Sequence, residues 1–242
     1  MKRIIRYFRW GWAAWAVLLL LFSACSKFDY AYDPVRSDIL DGEGSYYNSG
    51  PESNALGIGT IRTYGLLRYV RLDASTVGMI VNPKAVEEIP DGTRVFIQYR
   101  CVVLGSSLPE FFTDAVLVEW ARPLEMGEVS RDRQSRQGDP ISVVMDWMTT
   151  LEDGFLTVHY SIPSDGKASH GFCLCPGEKE NEYRLIYDAN GDTKGDLTDG
   201  LVCFDVASYL PDTEGETVTL SLTYLELDKT SKTLTVDYRS PQ

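Results

Sequence analysis

Histidine is nearly missing from this 242-residue chain, which holds only His159 and His170. That scarcity leaves little room for nucleophilic triads, which run on an imidazole base. A Gly-x-Ser-x-Gly elbow, a His-Glu-x-x-His helix, a Walker loop and a dinucleotide-binding glycine fingerprint are absent as well. No long segment carries the 3.6-residue apolar period of an amphipathic helix. Acid is absent from the first 25 residues: all 35 Asp and Glu come later, whereas Lys2, Arg3, Arg6 and Arg9 stand at the start. Taking those four bases from the net charge of −12 leaves −16 on the remainder. A body of that sign repels phosphate backbones and anionic headgroups, which disfavours nucleic acid as a partner. Its plain use is solubility.

What is present begins at the N-terminus. Four bases lead into an apolar run over 10–22, broken only by Gly11, and then Phe22-Ser23-Ala24-Cys25. The run falls short of the roughly 20 residues that span a bilayer. A basic start, a short apolar core and small residues before a cleavage point make a secretory signal over 1–24. Cys directly after Ser-Ala turns that signal into a lipobox of the bacterial lipoprotein kind. Cys25 is therefore the expected lipidation site, carrying palmitate-type acyl chains that anchor it to a membrane. Ser26 in place of Asp points away from inner-membrane retention and toward the outer membrane, with the side left open. Residues 25–54 are rich in Tyr, Asp, Gly and Ser and read as a lipidated tether.

Beyond the tether, strand-like runs dominate. In 94–103, Val95, Ile97, Tyr99, Cys101 and Val103 alternate with Arg94, Gln98 and Arg100. In 114–121, Val116, Val118 and Trp120 share a face by the same count. The period of two continues with Leu156, Val158, Tyr160 and Ile162, and with Val218, Leu220, Leu222 and Tyr224. The apolar run 141–148 reads as one more buried strand. The polar, non-periodic stretch 127–139 divides the chain as a linker. The expected organisation is all-β: a barrel domain over 55–126 and a β-sandwich domain over 140–242.

Two constellations invite chemistry. Asp188, Asn190, Asp192, Asp196 and Asp199 space oxygen ligands as a Ca²⁺ loop does, although Thr193 stands where such a loop has Gly and Asn190-Gly191 also reads as a hairpin turn. They are the candidate metal ligands, with calcium the one cofactor in view. With Cys25 lipidated, four thiols remain. The expected bridge joins Cys203 to Cys173 or Cys175. No catalytic residue is assigned, although carboxylate pairs could meet anywhere in so acidic a fold.

The lipobox at Cys25, the strand entry Gly92-Thr93-Arg94-Val95-Phe96-Ile97-Gln98-Tyr99, the run Leu156-Thr157-Val158-His159-Tyr160 and the stretch Ser169-His170-Gly171-Phe172 together resemble the NigD-like lipoproteins of the Bacteroides-type envelope. The Cys173/Cys175 pair and the Asp-rich loop are departures. The resemblance implies an N-terminal OB-type barrel followed by a C-terminal β-sandwich, and it brings no catalytic residues. The expectation is a non-enzymatic binding or accessory module with an envelope protein partner. The alternative is a glycan-binding lipoprotein of an uptake system, with Trp120, Trp147 or the group Tyr30, Tyr32, Tyr46 and Tyr47 as platforms. Less favoured is a carboxylate-dependent hydrolase.

Overall fold

The computed structural model describes residues 54–238 except 74, 105–106, 211–212 and 214–215. The signal, Cys25 and the tether tyrosines lie outside the described residues, as does the predicted domain tail beyond 238. Strands β1 (Ala55–Tyr64), β2 (Leu67–Arg71), β3 (Val77–Ile80), β4 (Arg94–Val102) and β5 (Asp114–Pro123) close a barrel in the order β1-β2-β3-β5-β4. β3 and β5 run parallel. The 3₁₀ turn Pro83–Val86 lies between β3 and β4. This is the OB-type order. Ile61, Val70, Val95, Ile97, Val116 and Val118 fill the barrel, and Val86 and Ile89 pack into the same cluster from the turn. The bore is narrow. A Cβ added at Gly59 would stand 2.5 Å from Val70 Cγ2 and 2.9 Å from the Arg71 carbonyl oxygen.

A β-bulge corrects the alternation expected in β5. Gln98 faces Trp120 and Tyr99 faces Val118, so Glu119 has no partner across the ladder. One extra residue inverts the faces beyond it. Val116 and Val118 stay inside, whereas Trp120 moves to the outer surface beside Phe96.

The sandwich begins directly after the barrel. One sheet orders β6 (Glu125–Met126), β13 (Asp196–Asp205), β10 (Phe155–Ser164) and β8 (Ser142–Val143), with β9 (Thr150–Glu152) also on β10. The other orders β15 (Ser231–Tyr238), β14 (Val218–Leu225), β12 (Glu182–Asp188), β11 (Gly171–Pro176) and β7 (Glu128–Val129). Between them lie Leu156, Val158, Tyr160, Phe172, Leu174, Tyr187, Phe204 and Leu222. The run 141–148 forms only the two-residue β8. After Val144, Asp146 turns the chain by accepting from the Met148 amide at 2.9 Å.

The stretch 127–139 is not a free linker. β7 pairs with β11, and Asp139 bridges to Tyr187. Between them the chain crosses the outer face of its sheet as a strap. Arg184 donates to the carbonyls of Gln134 at 2.8 Å and Arg136 at 3.3 Å. Gly138 sits so close to Ile186 and the Tyr187 backbone that a side chain there would collide.

The odd-numbered face of β10 explains how barrel and sandwich join. Phe155, Thr157 and His159 point away from the sandwich core and are still buried. Ile58 and Phe96 of the barrel are buried in one cluster with Met148, and Trp120, Leu124, Trp147 and Leu201 pack on it. The rings of Phe96 and Trp147 lie 6.2 Å apart. Each buried apolar side chain here is worth about 1.5–3 kcal/mol, whereas the desolvation of a buried ion pair cancels most of its attraction. Apolar contact therefore holds the joint.

Candidate functional site

Three places gather chemistry-bearing groups. The first is the seam between barrel and sandwich. The hairpin from β9 to β10 turns at Asp153 (φ 52) and Gly154 (φ 81), which matches the two-residue turn with both centres left-handed. Asp153 accepts from Arg62 Nε at 3.1 Å and Nη2 at 3.0 Å, with Arg71 Nη1 3.8 Å away. Beside it the Arg94 guanidinium is fully buried, donates to Thr60 Oγ1 at 3.1 Å and stands 3.9 Å from Glu152. Its Nε and Nη2 have no hydrogen-bond partner. Burial pushes the Glu152 carboxyl up to about 7 against the pull of Arg94, with Asp73 and Asp153 adding to the rise. A carboxyl displaced so far is a usual marker of a catalytic acid. Here it faces the joint between two packed bodies, and its nearest cation is spent in that joint. The arrangement is structural.

The second place is the Asp-rich stretch. The five predicted metal ligands do not converge. Asp188 pairs with Arg136 at 2.9 Å. Asn190 occupies a left-handed turn with φ 49. Asp192 is buried and accepts from Ser164 Oγ at 2.8 Å and from the amides of Asp165 and Gly166 at 3.0 and 3.1 Å, with His170 Nε2 at 3.3 Å. Those bonds hold its carboxyl well below the usual range, the Asp165 amide first among them. Asp196 and Asp199 belong to β13, opposite Ser164 and Ser161, and strand alternation sends them to opposite faces. Among the described residues no three His, Cys, Asp or Glu side chains are gathered as a metal site. Asp192 staples one loop to another.

The expected disulfide meets a similar obstacle. Cys173 and Cys175 cluster with Ile186 on the outer face of their sheet. Cys203 lies on the far side of the sandwich, where Thr157 Oγ1 is 3.8 Å from its sulfur. Sheets about 10 Å apart keep these thiols beyond the roughly 7 Å Cα separation a disulfide tolerates. All four described cysteines are free. The two histidines are used locally: His159 Nδ1 lies 2.8 Å from Asp146 Oδ2, and His170 meets Asp192.

The third place is the end of the barrel where β1 turns into β2. Tyr64 and Phe111 stack at 4.7 Å with their planes 11° apart. Phe112 meets Tyr64 edge-on at 6.2 Å, and Tyr69 meets Phe111 at 5.2 Å and Phe112 at 5.9 Å. Tyr69, Val77 and Phe112 are buried, with Met79 and Leu108 packed on them. The cluster surfaces abruptly: Tyr64 is 54% exposed, Phe111 37%, Leu67 40% and Leu66, at the turn, 101%. Gly65, with φ 61, makes that turn. Segments 63–67 and 101–109 carry no charge, in a chain that is 24% charged. The sequence reading missed this group because its aromatics are far apart along the chain and follow no period. Trp120 and Trp147, its proposed platforms, are half-buried in the seam instead. Between the two sandwich sheets a small apolar gap, lined by Leu151, Leu174, Leu210 and Leu222, has almost no polar wall to orient a ligand.

Residues 124–238 match the NigD-like C-terminal beta sandwich domain. The chain's C-terminal half is thus the NigD-like β-sandwich. Solved structures repeat the fold at low identity. A candidate toxin-related protein of Parabacteroides distasonis is 19% identical with a TM-score of 0.65, over 78% of this chain and 94% of that one. A NigD-like immunity protein of Bacteroides caccae is 18% identical with a TM-score of 0.53, over 81% and 99%. A candidate lipoprotein of Bacteroides fragilis is 9% identical with a TM-score of 0.55, over 78% and 100%. No curated protein matches the chain. The chain thus shares its fold with these bacterial proteins, and its barrel tip has to be judged on its own residues.

Proposed function

We propose that this protein is a lipid-anchored, non-enzymatic accessory module of the bacterial cell envelope, which works by docking through the tip of its barrel. The observation that carries this reading is the exposed apolar cluster of Tyr64, Leu66, Leu67 and Phe111. A body in water gains nothing by displaying a fully exposed leucine next to exposed Tyr64, Leu67 and Phe111, and apolar surface of this kind marks interaction sites. The Cys25 lipobox and the lipoprotein among the structural relatives support the envelope assignment, with the outer membrane favoured by Ser26. Among the described residues no helix is long and apolar enough to cross a membrane, which fits anchoring by lipid. Asp153, Asp192 and His159 are engaged in local bonds, which supports a role without turnover. A sugar platform would set hydrogen-bonding side chains around an open ring. Here Phe111 covers one face of Tyr64 and the exposed residues beside it in the hairpin are Leu66 and Leu67, so an apolar partner surface is favoured over a glycan.

The test is thiol protection. Leu66→Cys and, as a control on the sandwich, Lys167→Cys are made in the full-length chain. Each is labelled with a bulky maleimide in isolated envelopes and again after detergent extraction. Labelling at position 66 is expected to be suppressed in envelopes and restored in detergent, with position 167 labelled in both. Equal labelling of both positions in envelopes would refute the docking role.

A further inference from the structure

We infer that the surface the barrel tip meets is the lipid interface itself, so that the tip sets the orientation of the anchored body on its membrane. This rests on the docking role proposed above and names its partner.

Shape is the first argument. Leu66 stands at the apex of the hairpin between β1 and β2, completely exposed, and Phe111 from the loop between β4 and β5 stacks on Tyr64 at the base of that hairpin. The apolar surface is a projection and not a groove. A protein partner needs a matching pocket to bury a projection, whereas hydrocarbon receives one without complementarity. The composition fits the same partner. Aliphatic carbon leads, with tyrosine just behind it, and amphipathic aromatic rings favour the headgroup level of a bilayer.

Charge is the second argument. Residues 55–123 hold seven bases and seven acids, whereas 124–238 hold twenty-two acids and nine bases. A bacterial membrane surface is anionic and repels the sandwich, but the neutral barrel with its charge-free tip meets no such barrier. Repulsion at one end and apolar contact at the other turn the body barrel-first.

Reach is the third. β1 starts at Ala55 and ends at Tyr64, and a ten-residue strand spans about 33 Å. Fully extended, the chain between Cys25 and Asn54 would span roughly 100 Å, three times what is needed for the tip to touch the membrane that holds the lipid. The acyl chains supply the anchoring, and the tip supplies the direction.

Photo-crosslinking in cells tests this. A photoreactive amino acid replaces Leu66 in the full-length chain, and in a parallel strain it replaces Lys167, whose side chain is 79% exposed. Adducts are resolved by gel and mass spectrometry. The expected result is lipid-mass adducts at position 66 and few or none at position 167. A discrete protein adduct at position 66 would overturn the lipid assignment while keeping the tip as a docking surface. No adduct at position 66, or equal lipid adducts at both positions, would overturn the lipid assignment and the docking role together.

Discussion

Replacing Glu152 with Gln should remove a pH dependence that the seam builds into the protein, and the sign follows from burial. The Glu152 carboxyl is raised from 4.5 to about 7, so between those values the folded protein keeps a proton that the unfolded chain has released. The stability this contributes is complete below pH 4.5 and is lost as pH climbs through about 7. The whole shift corresponds to about 3 kcal/mol. The side chain is 32% exposed, and solvent screening cuts the effect to roughly 1–2 kcal/mol. Arg94, 3.9 Å away, pulls against that rise. Arg94→Met removes the pull and should carry the Glu152 carboxyl higher still, so that the loss of stability comes at a higher pH than in the wild type. Denaturant midpoints of the purified wild type and both variants from pH 5 to pH 8 give the numbers. The wild-type advantage over Glu152→Gln should shrink between pH 5 and 7. An advantage that grows over that range, or an Arg94→Met variant whose stability falls at a lower pH than the wild type's, would refute the reasoning.

Other outcomes follow from single contacts. Gly59→Ala drives a methyl into Val70 and the Arg71 carbonyl and should cost about 1–3 kcal/mol by overpacking, read from urea midpoints, with Val70→Ala in the same chain recovering part. Asp192→Asn loses the charge that draws three hydrogen bonds between two loops. It should lower the melting temperature, while calcium and EDTA leave that temperature unchanged in the wild type. Because Cys203 and the Cys173/Cys175 pair lie on opposite outer faces, gel mobility of the unfolded chain should be the same with and without reductant. Leu66→Asp touches nothing buried and should change folding stability by no more than about 0.5 kcal/mol, so any effect in cells reports on docking.

The fold was legible wherever one face of a strand is buried. The alternation in β4, β10 and β14 names the inward residues, and five runs with one short turn of helix describe the barrel that forms. Legibility failed where a strand is buried on both faces. His159 and Thr157 read as a polar, outward row, and only the tertiary fold shows that they are buried. The same holds for Arg94, whose polarity suggested solvent and whose place is the seam. Trp120 was misplaced because a bulge inverts the faces beyond Glu119, and nothing in the local sequence marks it. The Asp-rich loop misled because ligand spacing along a chain assumes a loop, whereas three of its four acids, Asp188, Asp196 and Asp199, belong to strands. The tip was invisible for a related reason: Tyr64 and Phe111 are 47 positions apart in the sequence, and the fold alone stacks them.

The docking role is tested most directly by hydrogen–deuterium exchange on the unmodified, full-length protein, measured in isolated envelopes and again in detergent. The account predicts added protection in the envelope confined to the two tip segments, 63–72 and 101–113, with the sandwich exchanging alike in both. Protection on the sandwich instead, or none at the tip, would contradict it.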